Sequence, residues 1–357
     1  MFNQEFPFPL KKLPPDIDFR DPDLLELVIQ ARSELAELKG YSSSIPNQLL
    51  LLSPAILKES LASSEIEDIH TTILDVLENQ LFPEEERKQP DKEVLRYHEG
   101  IMWGYENLKS LGISTRTIVG IQSKLLPDKP TGYRQQQNGI EDKKTKEILY
   151  IPPVQADVPR LMGELENFLN NDANTKIDPL LSCVISHYQF EAIHPFSDGN
   201  GRTGRILMVL YLVQREILTL PILYISGYIN QNKNEYYRLL LGVTTRGEWK
   251  EYIIFMLNGF CQQAKLTKEI VAKIRGLYFN LKDDLKKNHR NIYNADLVES
   301  LFTYPIISPV RLGTEMGVHY TTASRYLKSL EKAGILVSRR VGTFHLFAYK
   351  DLLDILH

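Results

Sequence analysis

Hydrophobic positions along this chain recur mostly with helical spacing, and a few interruptions divide the pattern into segments. Residues 1–21 are Pro-rich and aperiodic, which predicts an extended arm. Over residues 23–39 apolar side chains fall three and four apart, predicting a helix that Gly40 ends. Pro54 opens a longer stretch in which Ile66, Ile69, Ile73 and Leu77 share one face, predicting a single amphipathic helix that runs on to Pro83. A charged loop follows, and then helices over 94–111 and 114–126.

The helical pattern breaks between residues 132 and 153. There GYRQQQNGI and EILYIPP flank a polar tip at residues 142–145, which predicts a β-hairpin closed off by Pro152 and Pro153. Helical spacing returns at Val158 and continues, with short loops, to Leu285. The last segment differs in kind. Helical pieces near 295–302, 309–316 and 320–333 precede two short β-rich runs around Val341 and Gly342, the pattern of a winged helix-turn-helix. Within its third helix Ala323, Tyr326, Leu327 and Leu330 form the stripe expected to be buried, leaving Ser324, Arg325 and Lys328 outward. The predicted fold is mainly α, divided into an N-terminal region (1–90), a helical core (91–265), a helical linker (266–291) and a small α+β domain (292–357).

Composition adds limits. At 357 residues and 43% apolar, the chain is long enough for two or three ordinary globular domains. A net charge of -3 argues against chain-wide attraction to nucleic acid or anionic lipid. Residues 292–357 carry seven Lys and Arg against six Asp and Glu, less basic than a DNA reader usually is. Arg339 and Arg340 at the wing could still meet phosphate. DNA is therefore possible but not favoured, and protein contact, including a homodimer, is as open. Cys183 and Cys261 lie far apart in apolar surroundings and read as buried free thiols. With no apolar leader at its start and no apolar run long enough to span a bilayer, the chain reads as cytoplasmic with no membrane role.

Chemistry concentrates in residues 190–213, FEAIHPFSDGNGRTGRILMVLYLV, where one helix yields to a loop and a second starts near Arg202. Gly199 and Gly201 remove Cβ atoms and let backbone N–H groups converge at a helix N-terminus, a ready anion site. Arg202 and Arg205, three apart, can both face a polyphosphate. Asp198 offers a hard oxygen to Mg2+, and Asn200 can hold either the loop or a phosphate oxygen. His194 stands a few residues before the cradle, placed to take a proton from an attacking hydroxyl, and Phe196 to anchor the loop in the core.

The run HPFSDGNGRTGR, residues 194–205, resembles the signature of the Fic family, H-x-F-x-[D/E]-G-N-G-R-x-x-R, at every specified position. The resemblance implies an all-α Fic core with a β-hairpin flap, and transfer of AMP from ATP to a Ser, Thr or Tyr hydroxyl of a target protein, or of the chain itself, with release of pyrophosphate. It implies His194 as general base, Asp198 as Mg2+ ligand, Gly199, Asn200 and Gly201 as anion cradle, Arg202 and Arg205 as phosphate contacts, and Phe196 as anchor. The hairpin at 132–153 resembles the family's flap, which docks a target segment as an added strand. NEYYRLL, with Tyr236 and Tyr237, resembles the stretch bordering the adenine pocket, though both tyrosines could equally be core. SSEIED, residues 63–68, resembles the family's inhibitory motif, [S/T]-x-x-x-E-[G/N], with Ser63 and Glu67 one helical turn apart. There Glu67 would pair with Arg205 and hold ATP in a pose unsuited to transfer. Asp68 departs from the motif. Other donors, removal of AMP by the same site, and a DNA-binding regulator that only senses nucleotide are the alternatives.

Overall fold

The computed structural model describes residues 5–44, 47–141, 146–171, 177–342 and 344–356. Helix α1 (Pro22–Ser43) starts where Asp21 accepts hydrogen bonds from the N–H groups of Asp23 and Leu24, with Pro22 in the first turn. Gly40 does not end it. The hydroxyls of Ser42 and Ser43 donate to the Lys39 carbonyl and carry the helix one more turn.

The single amphipathic helix expected from Pro54 to Pro83 is instead two helices, α2 (Leu49–Ile66) and α3 (Ile73–Asn79), and Pro54 lies inside α2. The break has a local cause. Asp68 adopts the left-handed conformation at φ 64°, while its N–H bonds the Glu65 carbonyl and that of Ile69 bonds the Ser64 carbonyl, the paired bonds of a Schellman turn. Thr72 then caps α3.

Helices α4 (Gln89–Leu111) and α5 (Thr115–Leu125) pack together, and a hairpin of β1 (Ile140–Glu141) and β2 (Ile148–Tyr150) follows, with Ile140 opposite Tyr150. Its polar tip at 142–145 lies outside the described residues. After α6 (Val158–Asn171) come α7 (Pro179–Ile193) and α8 (Asn200–Gln214), which pack against each other and are buried almost all round. A helix apolar on every face belongs at the centre of a bundle. Helices α2, α4 and α5 cover α8, and α6 and α11 (Trp249–Asn288) cover α7. Two shorter helices, α9 (Ile225–Gln231) and α10 (Lys233–Arg246), connect α8 to α11.

Helix α11 is continuous, so the boundary expected at 265 and 266 falls within it. Its first half is core and α1 runs along it, while Ile270, Val271, Ile274, Tyr278, Leu281 and Leu285 form the stripe of its second half. The C-terminal module has α12 (Ala295–Thr303), β3 (Ile306–Ile307), α13 (Pro309–Met316), α14 (Tyr320–Lys332), β4 (Val337–Val341), β5 (Phe344–Ala348) and α15 (Lys350–Leu356). Its antiparallel sheet has the order β3-β5-β4, so the expected two-stranded wing gains a third strand and a closing helix. Ala323, Leu327 and Leu330 are buried, whereas Tyr326 is only half-buried. Arg339 of β4 is ion-paired with Glu78 of α3. Phe344 also packs edge-on against Phe82. Both cysteines are buried and free. Among the described residues no helix is long and apolar enough to cross a membrane.

Candidate active site

Helix α7 ends because His194 takes a left-handed conformation, φ 50° and ψ 59°, and is followed by Pro195, which disfavours a helical residue before it. The chain then buries Phe196 completely, with its ring 6.3 Å from that of Phe190 and 6.0 Å from that of Tyr133. Asn200 closes the loop. Its Oδ1 accepts from the Phe196 N–H at 2.8 Å and its Nδ2 donates to the Phe196 carbonyl at 2.9 Å. Of the two roles expected for Asn200 the geometry shows loop support, with the side chain buried. Gly199 turns the chain into α8 at φ 81°, and a Cβ there would meet Leu126 at 2.9 Å.

His194 is set up as a base. Its Nδ1 lies 3.3 Å from the Glu191 carbonyl, which can only accept, so Nδ1 carries the hydrogen and Nε2 keeps its lone pair. Burial pushes its pKa down to about 4, against the opposing pull of that hydrogen bond, and the ring is neutral at neutral pH. The backbone is braced too: Arg134, almost fully buried, donates from Nε to the His194 carbonyl at 3.0 Å and reaches the carbonyls of Gln136 and Pro153 with its other nitrogens. Arg134 was missed in the sequence, where nothing periodic marks it.

Arg205 points away from solvent toward the end of α2. Its Nε donates to Ser63 Oγ at 2.8 Å, and Nη2 donates to the Ser63 carbonyl at 3.0 Å and to Glu67 Oε1 at 2.8 Å. A Cβ on Gly201 would lie 2.6 Å from Glu67 Oε1 and 2.9 Å from Arg205 Nη1, so only glycine lets this pair rest on the first turn of α8. One turn back on the same face, Glu59 is buried and accepts from the Ser226 N–H at 2.9 Å, from its hydroxyl and from Tyr97 at 3.1 Å. The spacing 59, 63, 67 was visible in the sequence, and Glu59 could have been read from it. The Schellman turn also explains the motif's preference for Gly or Asn after the glutamate: the position is left-handed. Asp68 tolerates that conformation and meets Lys233 Nζ at 2.9 Å. Glu65 takes Asn230 Nδ2 at 2.7 Å.

The arginines do not converge. Arg202 turns to α4, with Nη1 2.9 Å from Glu93 and Nη2 3.7 Å from Asp198. A cavity of about 470 Å³ is lined by His194, Glu191, Gly201, Arg205 and Glu67, by Tyr188, Lys233, Tyr236 and Tyr237, and by Ile140, Glu141, Leu149 and Tyr150 of the hairpin. Arg202, Asp198, Gly199 and Asn200 lie outside its lining. Tyr236 is fully buried with its hydroxyl 2.7 Å from His187 Nε2, while Tyr237 is 45% exposed. Glu191 was also missed. Burial pushes its pKa up to about 7, against Arg205, and one of its oxygens has no partner. A larger groove of about 1020 Å³ separates α4 from α13 and α14, but it holds neither the base nor the Arg205–Glu67 pair, so chemistry rather than size locates the candidate site.

Family models match three stretches of the chain. The model described as Fic/DOC family N-terminal matches residues 25–106, that described as Fic/DOC family matches 112–212, and the protein adenylyltransferase SoFic-like C-terminal domain matches 277–352. A protein adenylyltransferase Fic of Drosophila grimshawi is 27% identical over 158 residues, 42% of this chain and 29% of that protein. A relative from Aquifex aeolicus named as a probable protein adenylyltransferase is 34% identical over 131 residues, 36% of this chain and 34% of its own. The chain thus spans about a third of the length of these curated relatives. The crystal structure of a Fic family protein from Desulfovibrio desulfuricans G20 shares the fold, with a TM-score of 0.59 at 21% identity over 95% of this chain and 98% of that one. With the two Fic/DOC models together spanning more than half of its residues, and the signature loop joining its two central helices, the chain belongs to the Fic/DOC family.

Proposed function

We propose that this chain is a protein adenylyltransferase that moves AMP from Mg-ATP to a Ser, Thr or Tyr hydroxyl and is restrained by its own Glu67. One observation carries the reading: a half-buried, neutral His194 shares a cavity with the glycine-opened N-terminus of α8 and with Arg205. The names of the relatives support it.

Phosphate oxygens would lie on the N-terminus of α8 and on Arg205, where dipole and guanidinium both favour negative charge. The acceptor oxygen bonds to the α-phosphorus as the bond from that phosphorus to its bridging oxygen breaks. Pyrophosphate leaves with the bonding pair, and the hydroxyl proton passes to His194 Nε2. Asp198, half exposed beside α8 and held only loosely by Arg202, supplies the single carboxylate that suits a magnesium ion bound chiefly through phosphates. The ion would offset charge on those phosphates. Arg202 would support Asp198 rather than join Arg205. Tyr236 and Tyr237 would border the base, and the hairpin would take the target segment as an added strand.

Glu67 occupies the guanidinium that a terminal phosphate needs, so ATP would sit out of line for attack. The test uses ATP labelled at either end. Label at the α-phosphate should become covalently bound to protein, label at the γ-phosphate should not, and His194→Ala should lower transfer at least about a hundredfold while still binding nucleotide. Transfer of the γ-label, or undiminished α-labelling by His194→Ala, would overturn the assignment.

A further inference from the structure

We infer that the N-terminal arm is a working part of the target-docking flap, with Phe8 acting as a positioning residue that staples the flap to the histidine loop. The inference rests on the reading that the hairpin docks the target.

The arm is not a loose leader. The Phe8 N–H donates to the carbonyl of Ile151, the residue that follows β2, at 2.9 Å. Its ring lies 5.8 Å from that of Tyr150. Tyr150 is 6% exposed and passes the contact on, because its hydroxyl donates to the Ala192 carbonyl at 2.8 Å, two residues before His194. Three residues further along the arm, the Lys11 carbonyl accepts from Gln189 Nε2 of α7 at 3.3 Å. The arm therefore holds the flap at Phe8 and the last turns of α7 at Lys11, and Tyr150 closes the path between them.

Local sequence suits this task. Phe8 is flanked by Pro7 and Pro9, so across these three residues only Phe8 has an N–H to give. Two prolines also fix the backbone in an extended form before the contact is made, which lowers the entropy lost in holding it. They prevent the arm from pairing further as a strand, so it supports the base of the flap without occupying the rest of β2. Residues 1–21 contain no Ser, Thr or Tyr, so a segment resting this near the site offers no hydroxyl to modify. A flap tied at its base to Ala192 presents its docking edge at a fixed height relative to His194. A flap cut loose from the arm would sample other heights, and the acceptor hydroxyl would reach His194 in fewer of them.

The experiment uses the full chain carrying Glu67→Gly, with Phe8→Ala and the conservative Phe8→Leu added separately. Backbone amide exchange over residues 147–151 should quicken about tenfold in Phe8→Ala, while α7 and α8 exchange as before. Labelling from α-labelled ATP should fall about tenfold, affinity for a non-hydrolysable ATP analogue should stay within about twofold, and Phe8→Leu should restore most of both losses. Unchanged exchange over 147–151 in Phe8→Ala would overturn the staple. So would a parallel fall in nucleotide affinity, which marks general damage. If the Glu67→Gly parent transfers no label at all, the adenylyltransferase reading fails, and the exchange measurement still decides the staple.

Discussion

Glu67 and Arg205 meet 2.8 Å apart, and the contact is made where a side chain on Gly201 would otherwise stand. Two segments far apart in sequence, the end of α2 and the first turn of α8, are thereby joined through the one guanidinium that lines the cavity among the described residues. Ser63 fixes the other edge of the same guanidinium, so the end of α2 is held by a group that lines the cavity.

The neighbouring pair of Asp68 with Lys233 is a weaker second hold. Both side chains are partly exposed, and such pairs contribute about 1 kcal/mol or less. Lys233→Ala should raise basal α-labelling by no more than about fivefold, and added salt should raise the wild-type rate in the same direction. A Lys233→Ala rate as high as that of Glu67→Gly would show that the outer pair, not the inner one, holds α2.

The lowered pKa of His194 sets the acid limit. The base works only when neutral, and burial keeps it neutral down to about pH 4. In Glu67→Gly, which also removes a carboxylate that raises the His194 pKa, the acid limb of kcat/KM should therefore fall at or below about pH 4, well below an ordinary histidine. A midpoint at or above 6.5 would show that the ring is not held neutral in the free enzyme.

Glu191 should make the protein less stable as pH rises. Its pKa is raised from 4.5 to about 7 by burial, so between those values the folded chain holds a proton that the unfolded chain has lost. The contribution to stability is complete below pH 4.5 and fades as pH climbs through 7. Glu191→Gln should flatten that slope and add about 2 to 3 kcal/mol at pH 8, read by denaturant unfolding across the range. An identical slope in the two proteins would remove Glu191 from this role.

Glu59 anchors α2 from inside. Glu59→Ala would leave the Ser226 N–H buried without its partner and take one of two side-chain partners from the Tyr97 hydroxyl, at a cost of about 2 to 4 kcal/mol in unfolding free energy. A loss under about 0.5 kcal/mol would mean that water replaces the carboxylate.

Much of the site was legible because it lies in one short run. The glycine, histidine and asparagine positions between two apolar helices mark the loop that joins α7 to α8, and the Ser63 and Glu67 spacing marks the end of α2 that meets Arg205. Interactions that depend on distant partners were not legible. Nothing local says that Arg202 will turn to Glu93, that Asn200 will spend both ends of its amide on Phe196, or that Arg134 will hold the His194 backbone. In the fold, apolar periodicity found most of the helices but ran straight through residues 67–72, because Ile66, Ile69 and Ile73 keep helical spacing across a left-handed Asp68. Strand β3, two residues long, and the closing helix α15 are too short for periodicity to register.

The central claim is that Glu67 restrains transfer by holding Arg205. It is tested most directly by the initial rate of α-label incorporation in wild type and in Glu67→Gly, at equal protein and saturating Mg-ATP. Loss of a buried charged hydrogen bond of this kind corresponds to a rate gain of roughly 10- to 100-fold, and we expect Glu67→Gly to be faster by that factor. Equal rates in two proteins that both bind ATP would contradict it.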